Sequence, residues 1–331
     1  MLDAAAAVGG CPPVLAPSAI DLVGPLLAAE LKKMQSYVAG FHKDWEKWGC
    51  TVMCDGWTSP KDLILTNFLV HSNKGTIFSK FVEANGNTED SDYLFELMDD
   101  MIERVGAKNV VHIVTDNIAT YRTAGRFLTE KWQHIFWSPC VAHSINLIIK
   151  ELCEMAGPRE VLSKAQEITA FIYNDQKLYP MMKFFTRELD ILHFGPTLFA
   201  THAASLESLA SRRLDLKKMF SSKAWYRFYA SMNTKLKKVG KVIELRVFDD
   251  SFWKKVDQVI ALLHPLFKIL VFVGEGDRRS MGFVHDMMYK AKMAIQANFP
   301  EEYKEYWVVI AKRWDDQITH LLYLASWFLN P

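Results

Sequence analysis

No Asn-x-Ser/Thr sequon occurs in the 331 residues, and the five cysteines, Cys11, Cys50, Cys54, Cys140 and Cys153, are odd in number and irregularly spaced. Neither feature fits a secreted, disulfide-framed chain, so a reduced intracellular protein is the expectation. Glycine and proline are scarce, at 16 and 12 residues, which excludes collagen-like and low-complexity architectures. Long unbroken apolar runs are also missing. The richest, Val259 to Val273, is interrupted by His264, Pro265 and Lys268, so no membrane span or membrane partner is expected. The N-terminus has an acid at Asp3, no basic segment and prolines at 12, 13 and 17, which is unlike a secretory signal. Gly274, Gly276 and Gly282 lie near Glu275, Asp277, Arg278 and Arg279 but lack the Gly-Lys-Ser/Thr ending that cradles phosphate, so they read as a plain helix–helix connection.

What is present is apolar and aromatic: 50% of residues are hydrophobic and 13% are Phe, Trp or Tyr, enough for one large or two medium buried cores. The formal net charge of +1 hides a division. Up to Met155 the chain carries 13 Lys and Arg against 19 Asp and Glu, net −6, and the remainder carries 26 against 19, net +7. An acidic part is therefore joined to a basic one.

Apolar residues at Leu27, Leu31, Met34, Val38, Phe41, Trp45 and Trp48 alternate in steps of 4 and 3, the stripe of an α-helix, and Gly49 ends it. The period then changes. Cys50–Asp55, Leu65–His71 and Thr76–Val82 are short, β-branched and aromatic, and predict three strands in a meander. A helix is predicted from about Thr88 to Val105, followed by the continuous apolar run Val110–Thr115, a strand buried on both faces and so central to its sheet. A helix to about Lys131, a short strand at Ile135–Trp137 and a helix start at Ser138-Pro139 complete the order β-β-β-α-β-α-β-α. Beyond residue 156 the pattern is helical, with amphipathic segments near 158–173, 205–220, 222–238, 250–273, 281–298 and 301–328.

Three groups of residues carry candidate chemistry. Asp55 ends the first strand and Asp116 the fourth. If those strands are neighbours, both carboxylates reach one sheet edge and suit magnesium or manganese; alternatively each simply caps a turn. Cys140 and His143 sit at i and i+3 on a helix start, where they share a face. They read as a structural turn beside Trp137, with a nucleophile–base pair as the alternative. Cys50 and Cys54, four residues apart on a strand, are separated by about 13 Å and cannot share one tetrahedral ion.

The third group is Arg212, Arg213, Lys217, Lys218, Lys223, Arg227, Lys235, Lys237, Lys238, Lys241 and Arg246, opposed only by Asp215 and Glu244, which is net +9 in 35 residues. Trp225, Tyr226, Phe228 and Tyr229 are interleaved with them. Phosphate neutralisation with base stacking is the functional reading; solvating lysines over core aromatics is the bland one.

Four stretches together carry a family likeness: Asp44-Trp-Glu-Lys-Trp-Gly-Cys-Thr-Val-Met-Cys-Asp55-Gly-Trp-Thr-Ser, Asn109-Val-Val-His-Ile-Val-Thr-Asp116-Asn, Phe136-Trp-Ser-Pro-Cys140-Val-Ala-His143-Ser-Ile-Asn-Leu, and Arg313-Trp-Asp with Phe328-Leu-Asn-Pro331. From about residue 25 onward the chain resembles plant transposases of the hAT superfamily, in the subgroup whose central domain is known only as a domain of unknown function. The resemblance implies an α/β fold: a ribonuclease-H-like mixed sheet of about five strands with a large all-α insertion domain. On that reading 1–24 is a poorly ordered N-terminus, 25–155 the core with its leading helix, and 156–331 the insertion.

In such enzymes two aspartates and a glutamate hold the metal ions for DNA strand cleavage and joining. The aspartates correspond to Asp55 and Asp116, and the Cys-x-x-His signature that orders the site corresponds to Cys140 and His143. Several family features are missing here. The third acid lies beyond the insertion and no Glu in 156–331 occupies its place, no Cys/His cluster precedes residue 50 to form a zinc finger, and the C-terminal dimerisation segment is not found. Thr120 stands where the family commonly has Asn, and an insertion Arg is replaced around Leu198. The leading expectation is a transposase-derived, catalytically inactive nuclear protein that binds DNA non-specifically, with self-association or transposase-like partners. An active magnesium- or manganese-dependent transposase or nuclease and a protein-interaction module are the alternatives.

Overall fold

In a computed structural model of the protein, the described residues are 17–59, 63–83, 90–194, 200–274, 281–314 and 321–330. Cys11, the prolines at 12 and 13, Leu198, the charged turn at 275–279 and Pro331 lie outside them. So does most of the N-terminus expected to be poorly ordered. Its last part, from residue 17, is described, and there Ser18 caps a helical turn at Ala19–Asp21.

The chain packs as two compact units, Met1–Ser138 and Pro139–Pro331. The first holds the sheet. A π-helical turn, Leu22–Leu26, leads into α1, Leu27–Trp48, which stops where Gly49 adopts φ +75°. A side chain at Gly49 would meet a Val111 methyl at 2.7 Å, so both the backbone angle and the space demand glycine. The strands are β1 Cys50–Thr58, β2 Ile64–Ser72, β3 Gly75–Glu83, β4 Val110–Thr115 and β5 Phe136–Pro139. Helices α2, Ser91–Val105, and α3, Ala119–Lys131, lie between β3 and β4 and between β4 and β5.

The sheet order is β3-β2-β1-β4-β5, with β1 antiparallel to β2 and parallel to β4. The fold is therefore α/β with a mixed five-stranded sheet, and the first and fourth strands are neighbours. Val52, Cys54, Phe68, Val70 and Ile113 bury one sheet face together with Leu94, Met98 and Ile102 of α2 and Leu128 of α3. The other face leaves Trp57, Phe78 and Phe81 exposed.

The second unit is helical: α4 Val141–Glu154, α5 Ala156–Tyr173, α6 Leu178–Phe185, α7 Ala200–Ser211, α8 Arg213–Phe220, α9 Lys223–Ser231, α10 Thr234–Phe248, α11 Asp250–Gly274, α12 Met281–Asn298, α13 Tyr303–Arg313 and α14 Leu321–Phe328. By packing, the chain divides at 138/139, where the sequence reading sets its boundary at 155/156, and α4 buries Ile145, Ile148, Ile149 and Leu152 in the helical core. Helix α11 is long and apolar enough to cross a bilayer by length and composition; here it lies against α4, α7 and α12 and buries eight apolar side chains, from Phe252 to Ile269.

Two expected helices are each two: Arg212 breaks 205–220, and Asn233 starts a new helix within 222–238 by accepting from the Leu236 amide at 2.9 Å. The described parts of 301–328 are α13 and α14. Helix α6 is not foreseen by periodicity. Its start is set by Asp175, whose carboxylate accepts from the Lys177 and Leu178 amides at 2.8 and 3.1 Å.

Candidate functional site

In the sheet unit the parallel register pairs Cys54 with Thr115, and Asp55 and Asp116 are the next residues on these neighbouring strands; Asp116 follows the end of β4, but Asp55 does not end the first strand as expected, because β1 runs on to Thr58 in its antiparallel ladder with β2. Asp55 is exposed and faces Asn67 across β1–β2, whereas Asp116 is 8% exposed and followed by the buried Asn117. Their nearness registers on the Cys54 thiol. Burial pushes that thiol well above its ordinary value, the Tyr121 hydroxyl at 3.9 Å opposes the shift, and the charges of Asp116 and Asp55 add to it. Tyr121 itself is buried and its phenol raised, chiefly by desolvation. Its hydroxyl occupies the space that a side chain at Gly56 would take, 3.1 Å from the ideal Cβ position.

The backbone at Asp116 is held from the far side. The Thr115 hydroxyl donates to the Asp116 carbonyl at 2.9 Å and accepts from the Trp137 indole N–H at 3.1 Å. Trp137 packs so closely on α3 that a Cβ at Gly125 would lie 2.5–2.6 Å from three of its ring atoms. His112 and Ser138 share a 2.7 Å hydrogen bond between β4 and β5. The pair of carboxylates, one wet and one nearly dry, has the hard-oxygen chemistry that magnesium or manganese prefers. Among the described residues no group of three His, Cys, Asp or Glu side chains forms a metal cluster.

Cys140 and His143 belong to the helical unit. Cys140 is the N-cap of α4, and its carbonyl accepts from both the amide and the hydroxyl of Ser144 at 3.0 Å. The same helix carries Glu151, which pairs with Arg313, Nε to Oε1 at 2.9 Å, and Tyr323 donates to the Pro139 carbonyl. Residues 162 positions apart are thereby joined, a link that no local pattern could reveal. Asn330 likewise packs against the start of α12 at Gly282.

Along α8–α10 the cations fall into two groups. Arg213 pairs with Asp257 at 3.1 Å, Lys217 with Asp250 at 2.6 Å, Lys218 with Asp215 at 3.3 Å, Lys241 with Glu244 at 3.3 Å and Arg246 with Glu167 at 2.8 Å. Lys223, Arg227, Lys235, Lys237 and Lys238 have no such carboxylate among the described residues, and all but the half-buried Lys237 are exposed. Arg212 is half-buried.

The interleaved aromatics correct the stacking expectation. Trp225 is fully buried, edge-on to Phe220 with ring centres 4.6 Å apart, and its indole donates to Glu244 at 3.3 Å. Phe228 and Tyr229 pack on the same core, leaving Tyr226 exposed. Beside this face lies a groove of about 570 Å³ between α5 and α10, lined by Phe171, Leu236, Val239, Val242 and Ile243, with Lys238 and Glu167 among its walls.

Residues 17–168 match a family described as "Domain of unknown function (DUF659)". The match covers α1, the whole sheet and the first part of the helical unit. No curated protein matches this sequence.

Proposed function

We propose that the chain is a transposase-derived protein of the hAT type that acts in the nucleus. In this reading its ribonuclease-H-like unit retains a carboxylate pair without cutting DNA, and its helical unit holds duplex DNA without reading sequence. The observation that carries the reading is the parallel register that brings Asp55, within β1, and Asp116, just after β4, onto neighbouring strands, within motifs that resemble that family. Asp55 and Asp116 would hold magnesium or manganese, which when bound supplies charge stabilisation for a phosphodiester. This chain's own residues do the positioning: Thr115 and Trp137 fix the backbone at Asp116, and Gly125 leaves room for the indole. Among the described residues two carboxylates make a thin ligand set for the two ions, about 4 Å apart, that clamp attacking and leaving oxygens, which supports the silent-site reading.

Labelled duplex incubated with magnesium or manganese should be nicked no faster by the wild type than by Asp116→Ala. Metal-dependent cleavage lost in that variant would instead establish the active-enzyme alternative. For the helical unit, Lys235→Glu with Lys237→Glu and Lys238→Glu should weaken binding to duplexes of any sequence, and unchanged affinity would remove DNA from the proposal. The groove beside α10 favours a second reading, a docking module for an apolar protein segment. Val242→Asp would abolish that docking while leaving DNA affinity nearly intact.

A further inference from the structure

Helices α11 and α12 are joined by only six residues, 275–280, and so run antiparallel along each other. Between them lies a groove of about 610 Å³ that neither the carboxylate pair nor the basic helices use. Its lining runs from Asp257 to Ile269 on α11 and from Met287 to Asn298 on α12, about three turns or 17 Å of each helix. The middle stays open because Ala261, Pro265, Ala291 and Ala294 put no long side chain into it. Pro265 sits in the interior of a 25-residue helix, where it gives up the bond to the Ala261 carbonyl. Close packing of two helices calls for neither the proline nor the open space. The charges at the walls are unequal. Asp257 is engaged by Arg213 at 3.1 Å, Glu207 by the His264 Nδ1, and Lys290 by Asp286 at 2.6 Å. Lys268, exposed toward the end of the groove nearest the connection, has no carboxylate partner among the described residues.

We propose that this groove binds a linear amphiphile with a single anionic head, the chemistry of a long-chain carboxylate. Its head pairs with Lys268, and its alkyl chain lies over Ala261, Ala291 and Ala294. The volume falls within the roughly 300–1,000 Å³ of small-molecule sites, which are mostly apolar with a few polar groups that fix orientation. A narrow slot between two helices takes a stretched chain more readily than a broad ring system. A polyanion such as nucleic acid finds one unengaged cation here and an apolar floor, too little to hold a row of phosphates. The inference does not rest on DNA binding, because the cations assigned to DNA lie on α9 and α10.

Calorimetric titration of the full chain with dodecanoate, kept below its micelle concentration, should show saturable binding of one molecule per chain. Dodecyltrimethylammonium keeps the tail and reverses the head, and butyrate keeps the head and loses the tail; each should bind more weakly by about tenfold or more. Lys268→Glu should lower dodecanoate affinity about tenfold, and Lys268→Arg should preserve it. Lys268 is exposed, so both variants should match the wild type in circular dichroism. Ala294→Trp fills the groove and should abolish binding, whereas Val242→Asp, in the groove beside α10, should leave it unchanged. No saturable binding, equal affinity for the cationic amphiphile, or dodecanoate affinity untouched by Lys268→Glu would each overturn the proposal. Loss of binding in Val242→Asp but not in Ala294→Trp would overturn it as well, by placing the ligand in the other groove.

Discussion

Gly125→Ala tests how Trp137 supports the carboxylate edge, because it sets two effects of opposite sign against each other. Glycine in the middle of α3 costs about 1 kcal/mol of helix propensity relative to alanine, so on a free helix the substitution would stabilise. Here the new methyl would lie 2.5 Å from the Trp137 indole nitrogen and 2.6 Å from two ring carbons, closer than atoms can approach. Overpacking of this kind costs about 1–3 kcal/mol. Displacing the ring also breaks its hydrogen bond to Thr115, worth about 1 kcal/mol net. The clash wins, and a net destabilisation of about 1–3 kcal/mol is expected.

In a Trp137→Ala background the obstruction is gone, and the same Gly125→Ala should stabilise by up to about 1 kcal/mol. Native-state hydrogen exchange of amides in Val110–Thr115 and Ala119–Lys131 reads both effects locally, without requiring two-state unfolding of a two-unit chain. The same sign in both backgrounds would refute the role given to Trp137.

Two further outcomes are expected. One phosphate contact for each of Lys223, Arg227, Lys235, Lys237 and Lys238 makes the logarithm of DNA affinity fall against the logarithm of salt with a slope of about −4.5. The triple Lys235, Lys237 and Lys238 reversal should flatten that slope by about 2.7, and an unchanged slope would place the contacts elsewhere. Burial pushes the Cys50 and Cys153 thiols from an ordinary value of 9.0 up to about 12, and raises Cys54 in the same direction. Between about pH 9 and 12 the unfolded chain therefore releases protons that the folded chain retains, and stability falls as pH rises. Thiolate absorbance equivalent to more than two of the five cysteines near pH 10 in the folded protein would contradict this.

The sheet was legible because its strands differ in kind: the meander alternates, while the continuous apolar run at Val110–Thr115 marks a central strand, and this is what placed Asp55 beside Asp116. The seam of α1 was legible as a helix but not as half core and half surface, since Leu31 and Phe41 satisfy the same spacing whichever partner covers them. Helix breaks at Arg212 and Met232 were hidden by amphipathicity that runs through them, although Ser222 and Asn233 are the residue types that cap new starts. Charge is the least legible feature. The stretch sums to net +9, but Asp250, Asp257 and Glu167 lie outside it in sequence and neutralise Lys217, Arg213 and Arg246 in space. The Glu151–Arg313 link was beyond any local pattern for the same reason.

Where the unpaired cations sit separates a binding face from a merely soluble one. Lys223 is the first residue of α9, and Lys235, Lys237 and Lys238 fall within the first five of α10, just after the capping Ser222 and Asn233. The N-terminal turn of a helix already carries partial positive charge, so a lysine there costs about 0.3–1 kcal/mol where an acid would contribute a similar gain. Lysines that served only solubility would cost less at the other end of the same helices. An anion held at these turns relieves both the lysines and the helix dipole. Lys235→Glu should therefore raise stability by about 0.5–2 kcal/mol while weakening DNA binding, the trade expected where cations are placed for a ligand rather than for the fold. Chemical denaturation of Lys235→Glu beside a Lys290→Glu control on α12 measures the difference, and a destabilised Lys235→Glu variant would show that these cations support the fold itself.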